Sequence, residues 1–350
     1  MKRFHKLSIL IGALLLAFLI WEIGPGQLWR ELTVLGWGLL PFILLEGVAD
    51  LFRTHGWRYC LSGPHRSLSF LYLFRIRMAG ISINYLTPTA GLGGDVTKGT
   101  LLSLNHPGAE AATGVIIGKL SEALAQLLFV VAGSLAVLQE IELPAGIWVA
   151  MLVGTVLLGG GIIGFLAVQK YGKLGAVMRW LVAHRIGGHR LRKAARRITE
   201  VDDQLKLFYG ERPMNLPLSM FWHIVGMACG IVQAWYFLFL LTDHPSLLMA
   251  GAIWFLGSWF DLLSFFLPNI GFLEATRVVA FKALGFPSAL GLTYGIALRL
   301  EQISWAGVGL LIYATLLLKK EETEPHLRNE VAENEAEARI EPAIGKGVDV

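Results

Sequence analysis

The sequence predicts an all-α polytopic membrane protein with about six to eight transmembrane helices, in which two broken or re-entrant segments mark two weakly related repeats. Three observations lead there. Of the 350 residues, 55% are hydrophobic and only 16% charged, against roughly a quarter charged in a soluble domain. The apolar residues fall in long runs: Leu7 to Ile20, Leu35 to Leu45, Ala123 to Leu138, Ile147 to Val168, Leu216 to Leu241 and Leu247 to Leu267. Twice the apolar pattern is interrupted by a proline, nearby glycines and then an acid and a base, in the same order.

A bilayer core about 30 Å thick needs about 20 helical residues to cross it, and several runs reach that length with their flanks. The runs are continuous, which excludes the alternating strands of a barrel. Met1 to Lys6 and Leu7 to Ile20 have the charge and hydropathy of a secretory signal. The next residues, Trp21-Glu22-Ile23-Gly24-Pro25, offer no small-residue cleavage site, so an uncleaved first helix is expected. Cys60 and Cys229 lie far apart in apolar surroundings, and the histidines, His223 included, show no metal-ligand spacing. No disulfide, metal or cofactor is expected.

The net charge of +4 is unevenly placed. The stretch 169–215 carries Lys170, Lys173, Arg179, Arg185, Arg190, Arg192, Lys193, Arg196, Arg197, Lys206 and Arg212, opposed by Glu200, Asp202, Asp203 and Glu211. The positive-inside rule makes it a basic cytoplasmic loop and puts the N-terminus and the loop of Arg53, Arg58 and Arg66 on the same side. The connector Gln139 to Glu142, without Lys or Arg, faces outward. These assignments agree only if Phe70 to Gly108 makes no net crossing. The basic loop has no interleaved aromatic platform, so nucleic acid is not expected as a partner. Residues 1–318 read as the membrane domain. Residues 319–350, opening with Lys319-Lys320-Glu321-Glu322, read as a disordered acidic tail too polar to pack. Gly160 with Gly164, and Gly226 with Gly230, have the spacing of close helix packing in lipid.

The first interruption runs from Ile81 through Asn84, Pro88, Gly91, Gly93, Gly94 and Asp95 to Lys98; the second runs from Phe265 through Pro268, Asn269, Gly271 and Glu274 to Arg277. Asp95 with Lys98, and Glu274 with Arg277, share a helical face as i,i+3 pairs. Backbone groups freed by proline and glycine cost several kcal/mol each in hydrocarbon unless protein or water satisfies them. Paired breaks in corresponding places of two halves point to a binding site near the membrane centre. Each break is followed by a long apolar helix, Ala111 to Leu138 and Ser288 to Leu318. Gly91-x-Gly93-Gly94 fits no nucleotide-binding spacing; a helix restarting at Asp95 suits either a tight turn or amides aimed at a lipid phosphate. Lys119 and Glu122 in one long helix, and Arg299 and Glu301 in the other, are intramembrane charges of the kind that pair and line pathways. Glu122 and Arg299 are the stronger candidates. Arg75 and Arg77, ahead of the first break, read as anchors to headgroup phosphates, the other reading being that they attract anionic lipid into the site.

Asn84…Pro88…Gly93-Gly94-Asp95 resembles the first signature of the flippase-like membrane domain of lysylphosphatidylglycerol synthases. Pro268…Gly271-x-x-Glu274, with Gly285 beyond it, is similar to the second, with one glycine where that signature carries a pair. Glu122 and Arg299 fall where the family carries intramembrane charges, and the likeness spans about Leu35 to Leu318. The resemblance implies a multi-pass protein of the bacterial inner membrane that moves a lipid, anionic or lipid-linked, between leaflets. It does not imply lysyl transfer, which belongs to a separate soluble domain for which a tail of about 30 residues is too short. Its candidate lipid path comprises Asn84, Pro88, Gly93, Gly94, Asp95, Lys98, Glu122, Pro268, Gly271, Glu274, Arg277 and Arg299, with no enzymatic step. The other reading is a membrane-embedded transferase or accessory protein acting on lipid-linked substrates. The oligomeric state is left open.

Overall fold

A computed structural model of the protein describes residues 33–87, 92–104, 109–170, 214–243, 245–264 and 272–344, with a few single residues besides. All elements among them are helical. The first apolar run, most of the basic loop and both prolines of the interruptions lie outside these residues.

The helices are α1 (Leu39–Tyr59), α2 (Phe70–Leu86), α3 (Leu92–Ser103), α4 (Ala109–Glu140), α5 (Ala145–Lys170), α6 (Asn215–Leu241), α7 (Leu247–Ser264), α8 (Phe272–Ala283) and α9 (Ser288–Ile344). Four stretches among the described residues are long and apolar enough to cross a membrane: Thr33–Tyr59, Glu110–Glu140, Asn215–Leu241 and Ser288–Leu318. Ala145–Gly161 and Leu247–Asp261 are shorter apolar helices. Local chemistry sets several ends. Ser69 caps α2 by accepting the Tyr72 amide at 3.3 Å, and α2 stops at Leu86, just ahead of the residue before Pro88. Gly285, at φ +80°, turns the chain out of α8 in the left-handed conformation that glycine tolerates.

One expectation changes here. The apolar run that ends at Leu45 in the sequence pattern continues helically to Tyr59, so Arg53 lies within α1 and not in a loop. The segment after Leu318 continues α9 to Ile344. Its Glu, Ala, Lys and Arg are good helix formers, and they extend a helix already nucleated in the membrane part.

Helices α2 and α3 form an antiparallel hairpin. Asn84 meets Gly94, while Gly80 faces Gly94 and Lys98. With 17 and 12 residues, the two arms are about 25 and 18 Å long, and neither spans a bilayer alone. Helices α7 and α8, of 18 and 12 residues, repeat the arrangement, with Arg277 laid across Gly257. Three apolar cores form among the described residues, one of them joining α4, α5, α7 and α8 through Val137, Met151, Phe255 and Ala280, and two lying at opposite ends of α1 and α6. Of these two, the first joins the end of α1 to the starts of α2, α4 and α6 through Trp57, Leu61, Leu73, Ile76, Val115 and Leu216. The other joins the start of α1 to the end of α6 and to α7, α8 and α9 through Leu39, Phe42, Phe237, Ile253, Phe281 and Tyr294. The α2–α3 hairpin therefore opens toward the first core and the α7–α8 hairpin toward the second. Helices α1 and α6 pack antiparallel through Gly56 against the Ser219 carbonyl and Gly226 against the Ala49 carbonyl. Gly226 and Gly230 thus serve close packing as expected. Gly160 has open space where a Cβ would stand.

A Cβ on Gly94 would collide with the Gly80 carbonyl and the Asn84 amide, while one on Gly99, in the same helix, would meet nothing within 4 Å. Backbone cannot yield as a side-chain tip can, so Gly94→Ala should cost about 1–3 kcal/mol and Gly99→Ala should be neutral or slightly stabilising. Thermal unfolding in detergent checks this; equal melting points for the two variants would contradict the hairpin contact.

Candidate functional site: a charged interior between two apolar cores

Between these two apolar cores α1, α2, α6, α8 and α9 contribute the buried Asp50, Arg77, Gln233, Arg277 and Glu301, and α4 and α7 the less buried Glu122 and Asp261. On α1, Glu46, Asp50 and Arg53 follow one another at i, i+4 and i+7, one face of a helix. Arg53 Nη1 donates to Glu46 and, at 3.2 Å, to Asp50 Oδ1. Arg77 of α2 joins this face: its Nε donates to Asp50 Oδ1 at 3.3 Å and its Nη2 to Glu122 Oε1 of α4 at 3.0 Å. Asp50 is 2% exposed and Arg77 5%, so Arg77 holds three helices together and anchors no headgroup. The expectation failed because a cation near a break can face inward once acids from two other helices meet it. Arg75 instead donates to Thr315 on α9 at 2.9 Å. Lys119 stands 3.9 Å from Glu122 with its side chain half exposed.

In the first hairpin Asn84 Oδ1 accepts the Gly94 amide at 2.5 Å. Asn84 and Gly94 therefore close the hairpin, with Gly93 beside them at the start of α3. Asp95 pairs with Lys98 at 2.7 Å, as the spacing anticipates. The buried Lys98 ammonium also lies 5.9 Å from the centre of the Trp57 ring, within cation–π range.

The second hairpin departs from the sequence expectation. Glu274 and Arg277 do not pair with each other; each reaches a different helix. Arg277 Nη2 donates to Asp261 Oδ2 of α7 at 2.7 Å. Glu274 receives two bonds from Arg299 of α9, Nε at 3.0 Å and Nη2 at 3.3 Å. The fork geometry of a guanidinium explains the exchange: two parallel bonds across a helix interface beat one i,i+3 contact. Arg299 Nη1 also donates to the Tyr85 hydroxyl at 3.4 Å, tying α9 to the tip of the first hairpin. Glu301, which sequence reasoning placed nearer the helix end, is 5% exposed and accepts a short hydrogen bond from Gln233 of α6. Gln233 donates also to the Phe42 carbonyl at 2.9 Å.

A cavity of about 160 Å³ opens among these groups. Glu46 and Arg53 line it from α1, Gln233 from α6, Asp261 from α7, Arg277 from α8 and Glu301 from α9. Arg277 is 6% exposed, and its Nη1 makes no hydrogen bond among the described residues. His223 of α6 lies buried against Gly56, also without a hydrogen-bond partner for either ring nitrogen among the described residues. No cluster of metal-ligating side chains occurs among the described residues.

The structure thus gathers Glu274, Arg277 and Arg299 on one side, Glu122 on the other, and Asp95 with Lys98 in the first hairpin. Pro88, Pro268 and Gly271 lie outside the described residues. Sequence reasoning missed Glu46, Asp50, Gln233 and Asp261. The signal for the first two was the i, i+4, i+7 spacing of charges in an otherwise apolar stretch. Gln233 and Asp261 are single polar residues inside apolar runs and announce no partner.

Helices of spanning length, two short hairpins and a charged interior define a multi-pass membrane protein. The chain belongs to the family of the lysylphosphatidylglycerol synthase transmembrane region, whose model matches residues 6–310. No curated protein and no solved structure gives a significant match.

Proposed function

We propose that the protein moves a lipid, anionic or lipid-linked, between the leaflets of the bacterial inner membrane, acting as a carrier and not as an enzyme. The observation that carries this reading is the charged interior itself. Seven ionisable side chains among the described residues, from Asp50 on α1 to Arg299 on α9, are paired across helices, and Glu46 and Arg53 add a pair within α1. Charge at membrane depth is costly on insertion scales, roughly 2.5–3.5 kcal/mol per residue, and marks pathways for polar cargo. The twofold pattern supports the same reading. A long helix, a short hairpin and a long helix occur in α1 to α4 and again in α6 to α9, the hairpins entering from opposite ends. Two inverted repeats of this kind supply alternating access around a central site. The candidate path runs along Lys98, Glu122, Glu274, Arg277 and Arg299, with Asn84 and Gly94 shaping the hairpin that carries it.

Liposomes holding the purified full chain and a panel of fluorescent phospholipids, read by quenching of the outer leaflet, test the proposal. Exchange faster than in protein-free liposomes for at least one anionic or lipid-linked member is the expected result. Exchange at the protein-free rate across the panel would refute it.

The repeat reading also fixes sides. With both hairpins making no net crossing, the basic loop at Arg190 should be cytoplasmic, Glu142 periplasmic, and the extended end of α9 cytoplasmic with the N-terminus. Reporter fusions at Arg190, Glu142 and Lys320 check this; an external Arg190 reverses the orientation, and an external Lys320 with internal Arg190 removes the inverted repeat.

A further inference from the structure

The ion pairs of the interior leave one carboxylate over. Arg53 takes Glu46 and Asp50, Arg77 takes Asp50 and Glu122, Arg277 takes Asp261, and Arg299 takes Glu274. Glu301 has no base within ion-pair distance among the described residues; its partner is the neutral amide of Gln233. It nevertheless lines the polar cavity between α1, α6, α7, α8 and α9. The charged or titratable groups that face it are Glu46, Asp50 and Arg53 on α1, Tyr85 on α2, Asp261 on α7, Arg277 on α8 and Tyr294 on its own helix.

We propose that Glu301 is a proton-binding site that couples lipid movement to the proton gradient, an inference that rests on the translocation reading for its consequence but not for its chemistry. A buried carboxylate without a countercharge is strongly disfavoured and takes a proton instead. With Glu301 neutral, the cavity is balanced, since Glu46 offsets Arg53 and Asp261 offsets Arg277. When the Glu301 O–H bond breaks and its proton passes to water, one net negative charge appears in a cavity already lined by Glu46 and Asp261. That charge attracts Arg53 and Arg277, each now held by another acid, and so biases the packing of α1 and α8 against α9. The Nη1 of Arg277, buried and without a hydrogen bond among the described residues, is a donor ready to change partner. Taking a proton from water at one face and returning it to water at the other completes a cycle that consumes nothing else.

Infrared difference spectroscopy of the full chain in liposomes reads the protonated carboxyl stretch directly. A band present at neutral pH should vanish in Glu301→Gln, which keeps the shape of the side chain. Should that variant fail to accumulate, Gln233→Met, which removes the hydrogen bond to Glu301, should shift the band. A band unchanged in both variants, or absent from the wild type, overturns the proposal. The same liposomes, under an imposed pH gradient with an internal pH dye and a fluorescent anionic phospholipid, read the coupling. The wild type should exchange lipid several-fold faster with the gradient than without it, and Glu301→Gln should exchange at one rate in both. Lipid exchange indifferent to the gradient in the wild type sinks the coupling while leaving translocation standing. A Glu301-dependent band and proton uptake without exchange of any lipid keeps the proton site and removes the translocation reading.

Discussion

Arg77→Met should deplete the protein from the membrane several-fold. The guanidinium is the shared partner of Asp50 and Glu122, and all three lie in the interior where α1, α2 and α4 meet. Methionine fills similar space, so the loss is electrostatic and not a cavity effect. Removing one partner of a buried ion pair leaves an uncompensated charge at a cost of about 3–5 kcal/mol, much more than an exposed pair is worth. Here two carboxylates lose their base, although Arg53 still reaches Asp50 at 3.2 Å. Glu122, with only the half-exposed Lys119 at 3.9 Å, bears most of the loss. The design that isolates the cause is the triple variant Arg77→Met, Asp50→Asn, Glu122→Gln, which removes charge from all three corners and should return abundance toward wild type. Quantitative blotting of membrane fractions measures both. A single variant at wild-type level would mean that Arg77 is solvated after all, and a triple variant as depleted as the single would point to packing.

How much of this was visible in the chain itself differs between backbone and side chains. The first hairpin was legible because proline and glycine act locally: α2 ends just before Thr87 and Pro88, and α3 restarts beside Gly93 and Gly94, wherever the rest of the molecule lies. The sequence left open whether the second break turns back or crosses. The Asp95–Lys98 pair was legible for the same reason, since both groups sit on one turn of one helix. Helix α1 was half legible. Glu46, Asp50 and Arg53 ended the apolar run that sequence reading follows, although their spacing puts them on a single inward face of a helix reaching Tyr59. The partners of Arg77, Glu274 and Arg277 were not legible, because each lies on another helix and no local rule ranks Asp261 or Arg299 above a neighbour on the same turn. Glu301 escaped for a related reason. Its partner Gln233 lies on α6 and carries no charge, so nothing on α9 itself announces its burial.

The pair Glu274–Arg299 should separate the roles of fold and path. Arg299 grips both carboxylate oxygens and also reaches Tyr85, so this fork joins α8, α9 and the tip of the first hairpin. Glu274→Gln keeps a hydrogen-bonding group of the same shape but leaves the Arg299 guanidinium, only about a tenth exposed, without its countercharge. Membrane abundance should fall several-fold. The exchange Glu274→Arg with Arg299→Glu restores the charge balance and should recover abundance. The exchange Glu274→Arg with Arg277→Glu should not, because Arg277 serves Asp261 and that carboxylate would then face a second one. Lipid exchange, normalised to the amount of protein, then decides the role. If the fork lies on the lipid path, the swapped pair presents its charges in reversed positions to the headgroup, and normalised exchange should stay well below wild type although the fold is regained. Full recovery of both abundance and exchange would make the fork a structural clasp and move the path elsewhere. Wild-type values of both in Glu274→Gln alone would remove Glu274 from either role.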